Sequence, residues 1–132
     1  MNAPFQAIGA LAWAIVGPPV LVFAATRPRR GKLTLHAALM LASVSVELGI
    51  VLGFGLLEHP SPRRAALAAL PIFKVHLAFA YSTLAGAAWQ VSSRLVPRLR
   101  SLHRMTGPYV VLVWCLALLT GIYNYAFLYV IR

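Results

Sequence analysis

The chain has 132 residues, of which 61% are hydrophobic and 11% charged, and its mean hydropathy is +0.80. A soluble domain of this size carries far more charged surface, so the composition excludes one and indicates an integral membrane protein. The net charge of +10 does not indicate nucleic acid as a partner, because the basic side chains are concentrated at the ends of apolar stretches.

Four apolar stretches follow one another along the chain, and each is close to the ~20 residues that a helix needs to cross a bilayer. They run over about 7–26, 33–57, 70–91 and 107–131. Uninterrupted runs of this length lack the alternating pattern of barrel strands. We therefore expect an all-α fold, in which residues 1–132 form one membrane domain, a four-helix bundle in the lipid bilayer.

Basic residues predict how these spans are oriented. Most of them fall in the first and third connections, whereas the second carries only Arg63 and Arg64. The residues of the two basic connections are Arg27, Arg29, Arg30, Lys32, Arg94, Arg98, Arg100 and Arg104. By the positive-inside rule these connections face the cytoplasm and both termini lie outside.

The first span contains no ionisable residue, but the second carries a polar stripe. His36, Met40, Ser43 and Glu47 recur at helical spacing and share one face. An ionisable side chain inside a membrane is costly and is a functional hypothesis by default. We expect this stripe to face the interior of the bundle.

The third span has a similar face of small and polar residues, formed by His76, Ala80, Thr83 and Ala87. Lys74 points the opposite way, and its stem can reach the membrane surface.

The fourth span gains a comparable face if its helix extends back through Pro108. His103, Gly107, Trp114, Gly121 and Tyr125 are then aligned. The glycines could leave room for a flat ligand, or they could merely let two helices approach closely.

The histidines separate into two pairs by depth. His36 opens the second span and His103 the fourth, so both belong to the predicted cytoplasmic side. His59 and His76 belong to the other side. His36 and His59 are separated by about 34 Å along one helix and cannot serve one site.

Two cofactors suit the pair His36 and His103. A b-type haem takes two axial imidazoles from facing helices. Copper also binds imidazole, and Met40, one turn from His36, could add a thioether ligand. Each of these residues also has an ordinary structural explanation that needs no cofactor. Met40 could be a packing residue of the core, and a histidine such as His59 could be an interfacial ring bonded to water.

Classical enzyme chemistry has little support, because the chain has no Asp, only two Glu and no glycine-rich phosphate loop. Glu47 is a candidate for proton uptake. We expect a protein without catalytic turnover of its own.

Three segments carry a family resemblance: LHAALMLAS, KVHLAFAYSTLAGAAW and LHRMTGPYVVLVWCLALLTGIYNYAFLYVI. Over residues 30–131 the chain resembles small bacterial membrane proteins of the CtaM type, which are linked to maturation of haem-copper oxidases. The resemblance implies that His36 with Met40, His76, and His103 with Arg104 occupy the family's polar positions. Glu47 departs from the family pattern, and His59 is not a firm part of it. The His-Arg-x-x-Gly opening of the fourth span also looks like di-haem b-type cytochromes.

Three hypotheses about function follow. The first is an accessory protein of the bacterial inner membrane that assists maturation or cofactor insertion of a haem-copper oxidase, with its histidines holding haem or copper. The second is a b-type cytochrome that passes electrons between quinol and a partner. The third is a structural subunit of another membrane complex.

Overall fold

The computed structural model describes residues 3–57 and 60–131, and over these residues the chain is helical without strands. The expected all-α fold is confirmed. Five α-helices are present in the described part, together with 3₁₀ turns at Pro28–Arg30 and Pro97–Leu99 and a π-helical end at Ala126–Val130. The α-helices are α1 (Phe5–Thr26), α2 (Leu33–Leu57), α3 (Pro62–Ala69), α4 (Pro71–Leu95) and α5 (Arg100–Tyr125).

Three of these helices, α1, α2 and α5, are long and apolar enough to cross a membrane. A fourth crossing is counted if α3 and α4, which meet at an angle of 82°, are taken as one bent span. Many large apolar side chains on the long helices are exposed, as expected for surfaces that face lipid. The protein therefore has the character of a multi-pass membrane protein.

The helix α5 begins well before the apolar stretch that predicted it. It starts at Arg100 and continues through Pro108 into the span. Proline removes one backbone hydrogen bond, but a membrane helix tolerates the loss where neighbouring helices support it. The first turns of α5 are polar, so a hydropathy pattern does not detect them. The predicted start of the span therefore lies several residues after the start of the helix.

The short helix α3 is absent from the four predicted spans. The Ser61 side chain caps it by accepting a hydrogen bond from the Arg64 backbone N–H at 3.3 Å, and Pro62 occupies the first helical position. The helix ends at Ala69, because Leu70 precedes Pro71 and takes an extended conformation, with ψ 138°. Leu67 fixes it to the bundle and is 3% exposed.

Close backbone packing joins the long helices in the order α2, α1, α5, α4. The core lies between α1 and α5, where Leu21, Val111, Trp114 and Leu118 form a buried cluster. Gly17 permits this approach, because a Cβ atom there would lie 2.7 Å from Leu118 Cδ1.

The bundle has two distinct ends. At one end α1 and α4 finish and α2 and α5 begin; we call it the arginine-rich end, because it contains both basic connections. The opposite end carries α3 and is called the α3 end. Gly31, with φ 72°, supplies the left-handed residue that turns the chain from α1 into α2 at the arginine-rich end.

Candidate functional site

His36 and His103 meet at the arginine-rich end. Each lies near the start of its helix, α2 or α5, and the two ring centroids are 6.4 Å apart with the ring planes at 84°. Both side chains are half-buried. The prediction that the second and fourth spans bring these imidazoles together is confirmed, whereas binding of a cofactor by them stays a prediction.

Backbone carbonyls orient both rings. His36 Nδ1 lies 2.9 Å from the Ala24 carbonyl oxygen of α1, and His103 Nδ1 lies 3.0 Å from the Gln90 carbonyl oxygen of α4. A carbonyl oxygen only accepts, so we assign the proton of His36 to Nδ1. His103 Nδ1 also lies 2.8 Å from the side-chain amide of Gln90, whose orientation decides whether this nitrogen donates or accepts. Nε2 of His36 then carries a lone pair, which is the arrangement of a metal-binding histidine held by a neighbouring carbonyl.

The surroundings of this pair are strongly cationic. Glu47, the one acidic residue in the described part of the chain, does not belong to the segments that form the arginine-rich end. Arg104 follows His103 directly, and the Arg27 guanidinium stacks on the Phe23 ring at 3.7 Å. Such an end favours anionic groups over free metal cations.

Glu47 lies deeper in the bundle and connects three helices. Its Oε2 accepts hydrogen bonds from Trp13 Nε1 of α1 at 2.8 Å and from Trp114 Nε1 of α5 at 2.9 Å. The rest of the stripe on α2 also faces inward, since Ser43 is buried and Met40 packs against the cluster around Trp114. The expected orientation of the stripe is confirmed, and Met40 serves as a packing residue here; its role as a copper ligand stays a prediction, as does proton uptake by Glu47.

His76 is held against α5 near the α3 end. Its Nδ1 lies 3.1 Å from the Ala117 carbonyl oxygen and 3.0 Å from Thr120 Oγ1. The Thr120 hydroxyl donates to the Leu116 carbonyl at 2.8 Å, so toward His76 it accepts. His76 Nδ1 therefore donates. Lys74 is exposed, as its position on the opposite face predicted.

The second predicted pair cannot be described, because His59 lies outside the described residues. His76 is also remote from the first pair, since α4 places it one turn from the α3 end whereas His103 opens α5 at the other end.

A cavity of about 370 Å³ lies where α2 and α4 face each other, near the α3 end. Glu47, His76 and Asn124 border it, together with Arg64 and several aromatic side chains. Asn124 was missed by the sequence analysis. The sequence could nevertheless have indicated it, because Asn124 is the one Asn inside an apolar span, where a polar side chain is costly.

Among residues 3–57 and 60–131, no three His, Cys, Asp or Glu side chains converge as metal ligands. What the arginine-rich end provides is a pair of imidazoles. No family model, curated protein or solved structure was found to match the chain.

Proposed function

We propose that the protein is an accessory membrane protein that holds haem between His36 and His103 and assists maturation of a respiratory haem-copper oxidase. The observation that carries the proposal is the juxtaposition of these two imidazoles at 6.4 Å between ring centroids. They come from two helices that run in the same direction, so the pair is a product of the tertiary fold.

The spacing of the rings agrees with coordination of one metal ion. Two imidazoles that bind a metal from opposite sides, with nitrogen–metal bonds of about 2 Å, have ring centroids about 6 Å apart. The Nδ1 hydrogen bond to Ala24 leaves the Nε2 lone pair of His36 available for this purpose, and His103 offers the same atom when its Nδ1 donates to the Gln90 carbonyl oxygen. When bound, haem would supply redox and ligand chemistry of iron, and the protein supplies the two axial ligands.

The charge at this end favours haem over copper. A haem carries two carboxylates, and arginine side chains are suited to bind carboxylates. Free Cu(I) would instead approach a cluster of like charges. Met40, the thioether expected to favour copper, packs on the hydrophobic cluster around Trp114. Copper held by His36, His103 and Met40 is therefore the weaker proposal.

The same charges support a topology. By the positive-inside rule, the arginine-rich end faces the cytoplasm and both termini face outward, in the inner membrane of a bacterium. The histidine pair then lies on the cytoplasmic side, where a newly made cofactor would be received. Partners of the protein in this proposal are subunits of the oxidase.

A b-type cytochrome is the second candidate. It is favoured by the carbonyl hydrogen bonds to both rings, because fixed rings suit permanent ligation as well as transient holding. The two candidates differ in what happens after haem binds: the accessory protein passes haem on, whereas the cytochrome keeps it and exchanges electrons with quinol.

Deletion of the gene tests the accessory role. The oxidase subunits should still be made, but oxidase activity and the spectrum of its haems in membranes should fall severalfold. Wild-type protein should restore both, and the His36→Ala and His103→Ala variants should not, while Lys74→Ala, which changes an exposed residue, should restore them fully. Normal oxidase activity in the deletion strain would refute the accessory role. In that case, haem that stays bound and is reduced by quinol would identify a cytochrome.

A further inference from the structure

The cavity near the α3 end is separate from the histidine pair. It opens between α2 and α4, which stand at the two ends of the packing order α2, α1, α5, α4. Helices α1 and α5 form its back, and α3 lies over one end. Glu47 is about 16 Å along the α2 axis from His36, so the cavity does not overlap the haem site proposed above.

Three side chains that each have one polar atom outside the hydrogen bonds of the described residues border this cavity. Asn124 is 8% exposed, and its Oδ1 has no hydrogen bond within residues 3–57 and 60–131. His76 is bonded through Nδ1, which leaves the Nε2 lone pair. Both indoles bind Oε2 of Glu47, which leaves Oε1. Buried polar groups in proteins are almost always paired, so the cavity is suited to a ligand with hydrogen-bond donors.

The charge around the cavity favours a neutral ligand. Glu47 supplies a carboxyl group, but the Arg64 guanidinium borders the same cavity and donates to Tyr129 Oη at 3.4 Å. Among the described residues, the lining therefore places a guanidinium beside the carboxyl group, which disfavours a lipophilic cation. A neutral donor such as a hydroxyl group pairs with His76 and Asn124 without adding charge.

The walls favour an aromatic ring with an apolar tail. Phe54, Phe73, Tyr81 and Tyr125 line the cavity, and aromatic side chains pack well against a flat ring. The volume is within the range of small-molecule sites. Val51 of α2 and Tyr81 of α4 line the cavity and are exposed on the outer surface of the bundle, so a ligand dissolved in the bilayer can enter between these helices.

We propose that this cavity binds the head group of a membrane-soluble hydroquinone, whose two hydroxyl groups donate hydrogen bonds to His76 Nε2 and to the Asn124 amide oxygen. The amide of Asn124 can present its oxygen by a half-turn of the side chain. Binding at this site does not depend on haem at His36 and His103.

Saturable binding of a radiolabelled decyl benzohydroquinone tests the proposal, measured anaerobically on the full chain in detergent, with empty micelles subtracted. The matched probe is its dimethyl ether, which keeps the shape but has no donors. Wild-type protein should bind the hydroquinone at least about tenfold more tightly than the ether, because the ether cannot donate the one or two hydrogen bonds that the hydroxyl groups make. Asn124→Leu and His76→Phe should each remove most of this preference.

Two control variants keep the test decisive. Thr83→Val removes a hydroxyl on α4 that is also buried and without a hydrogen bond among the described residues, but Thr83 does not border the cavity, so the preference should remain. His36→Ala should also retain it, which separates this proposal from the haem site. Equal affinity for the hydroquinone and the ether, or tighter binding of tetraphenylphosphonium than of the hydroquinone, would overturn the proposal. Loss of the preference in Thr83→Val would do so as well.

Discussion

Glu47 shows how a single residue can organise an apolar bundle. A carboxyl group within a membrane-spanning helix needs hydrogen-bond donors from the protein, and the fold supplies two indole N–H donors from α1 and α5. The hydrogen bonds to Trp13 and Trp114 thereby tie three helices together. The sequence showed a costly residue at this position, but it did not show its partners, because helical periodicity carries no information about contacts between helices.

Replacing Glu47 tests this role. Glu47→Leu leaves two indole N–H groups without an acceptor and should lower the free energy of unfolding by about 1–3 kcal/mol. Glu47→Gln keeps a carbonyl oxygen in place and should cost less than about 1 kcal/mol. Denaturant titration in mixed micelles, followed by tryptophan fluorescence, measures both. Equal stability of the Leu and Gln variants would show that the indole hydrogen bonds do not hold the bundle together.

At the scale of the elements, the apolar stretches predicted the long helices but not their polar ends. Hydropathy placed α2 correctly, whereas α5 begins earlier than predicted because its first turns contain Arg100, His103 and Arg104. The helix α3 was missed, although Ser61 followed by Pro62 is a typical helix start. Capping residues therefore indicated where this helix begins, which a hydropathy pattern does not show.

Helix packing gives a test at the same scale. Gly17→Val should push α1 away from α5, because a Cβ atom added at Gly17 would lie 2.7 Å from Leu118 Cδ1 and 3.2 Å from the Trp13 ring. We expect a loss of about 1–3 kcal/mol in the free energy of unfolding. Gly9→Val, on the same helix with no atom within 4 Å of the added Cβ, is the matched control and should be close to neutral. If both variants unfold alike, close packing at Gly17 is not what stabilises the pair.

For the whole molecule, the sequence predicted which residues face inward more reliably than which of them meet. The stripe through His36 and Glu47 and the face through Thr83 both point into the bundle, as periodicity indicated. Predicting that His36 and His103 meet required a further assumption. It was that two helices running in the same direction are neighbours at one end of the bundle. The cavity with Asn124 could not be foreseen, because it arises from the incomplete packing of α2 against α4.

The central claim is that His36 and His103 form one haem site. The most direct measurement is the reduced-minus-oxidised absorption spectrum of the purified protein after titration with haem b. The account predicts a Soret band and a sharp α band of a bis-histidine haem, abolished in His36→Ala and in His103→Ala, restored in part by added imidazole, and retained in His76→Ala. A protein that binds no haem, or one whose spectrum survives both alanine substitutions, would contradict it.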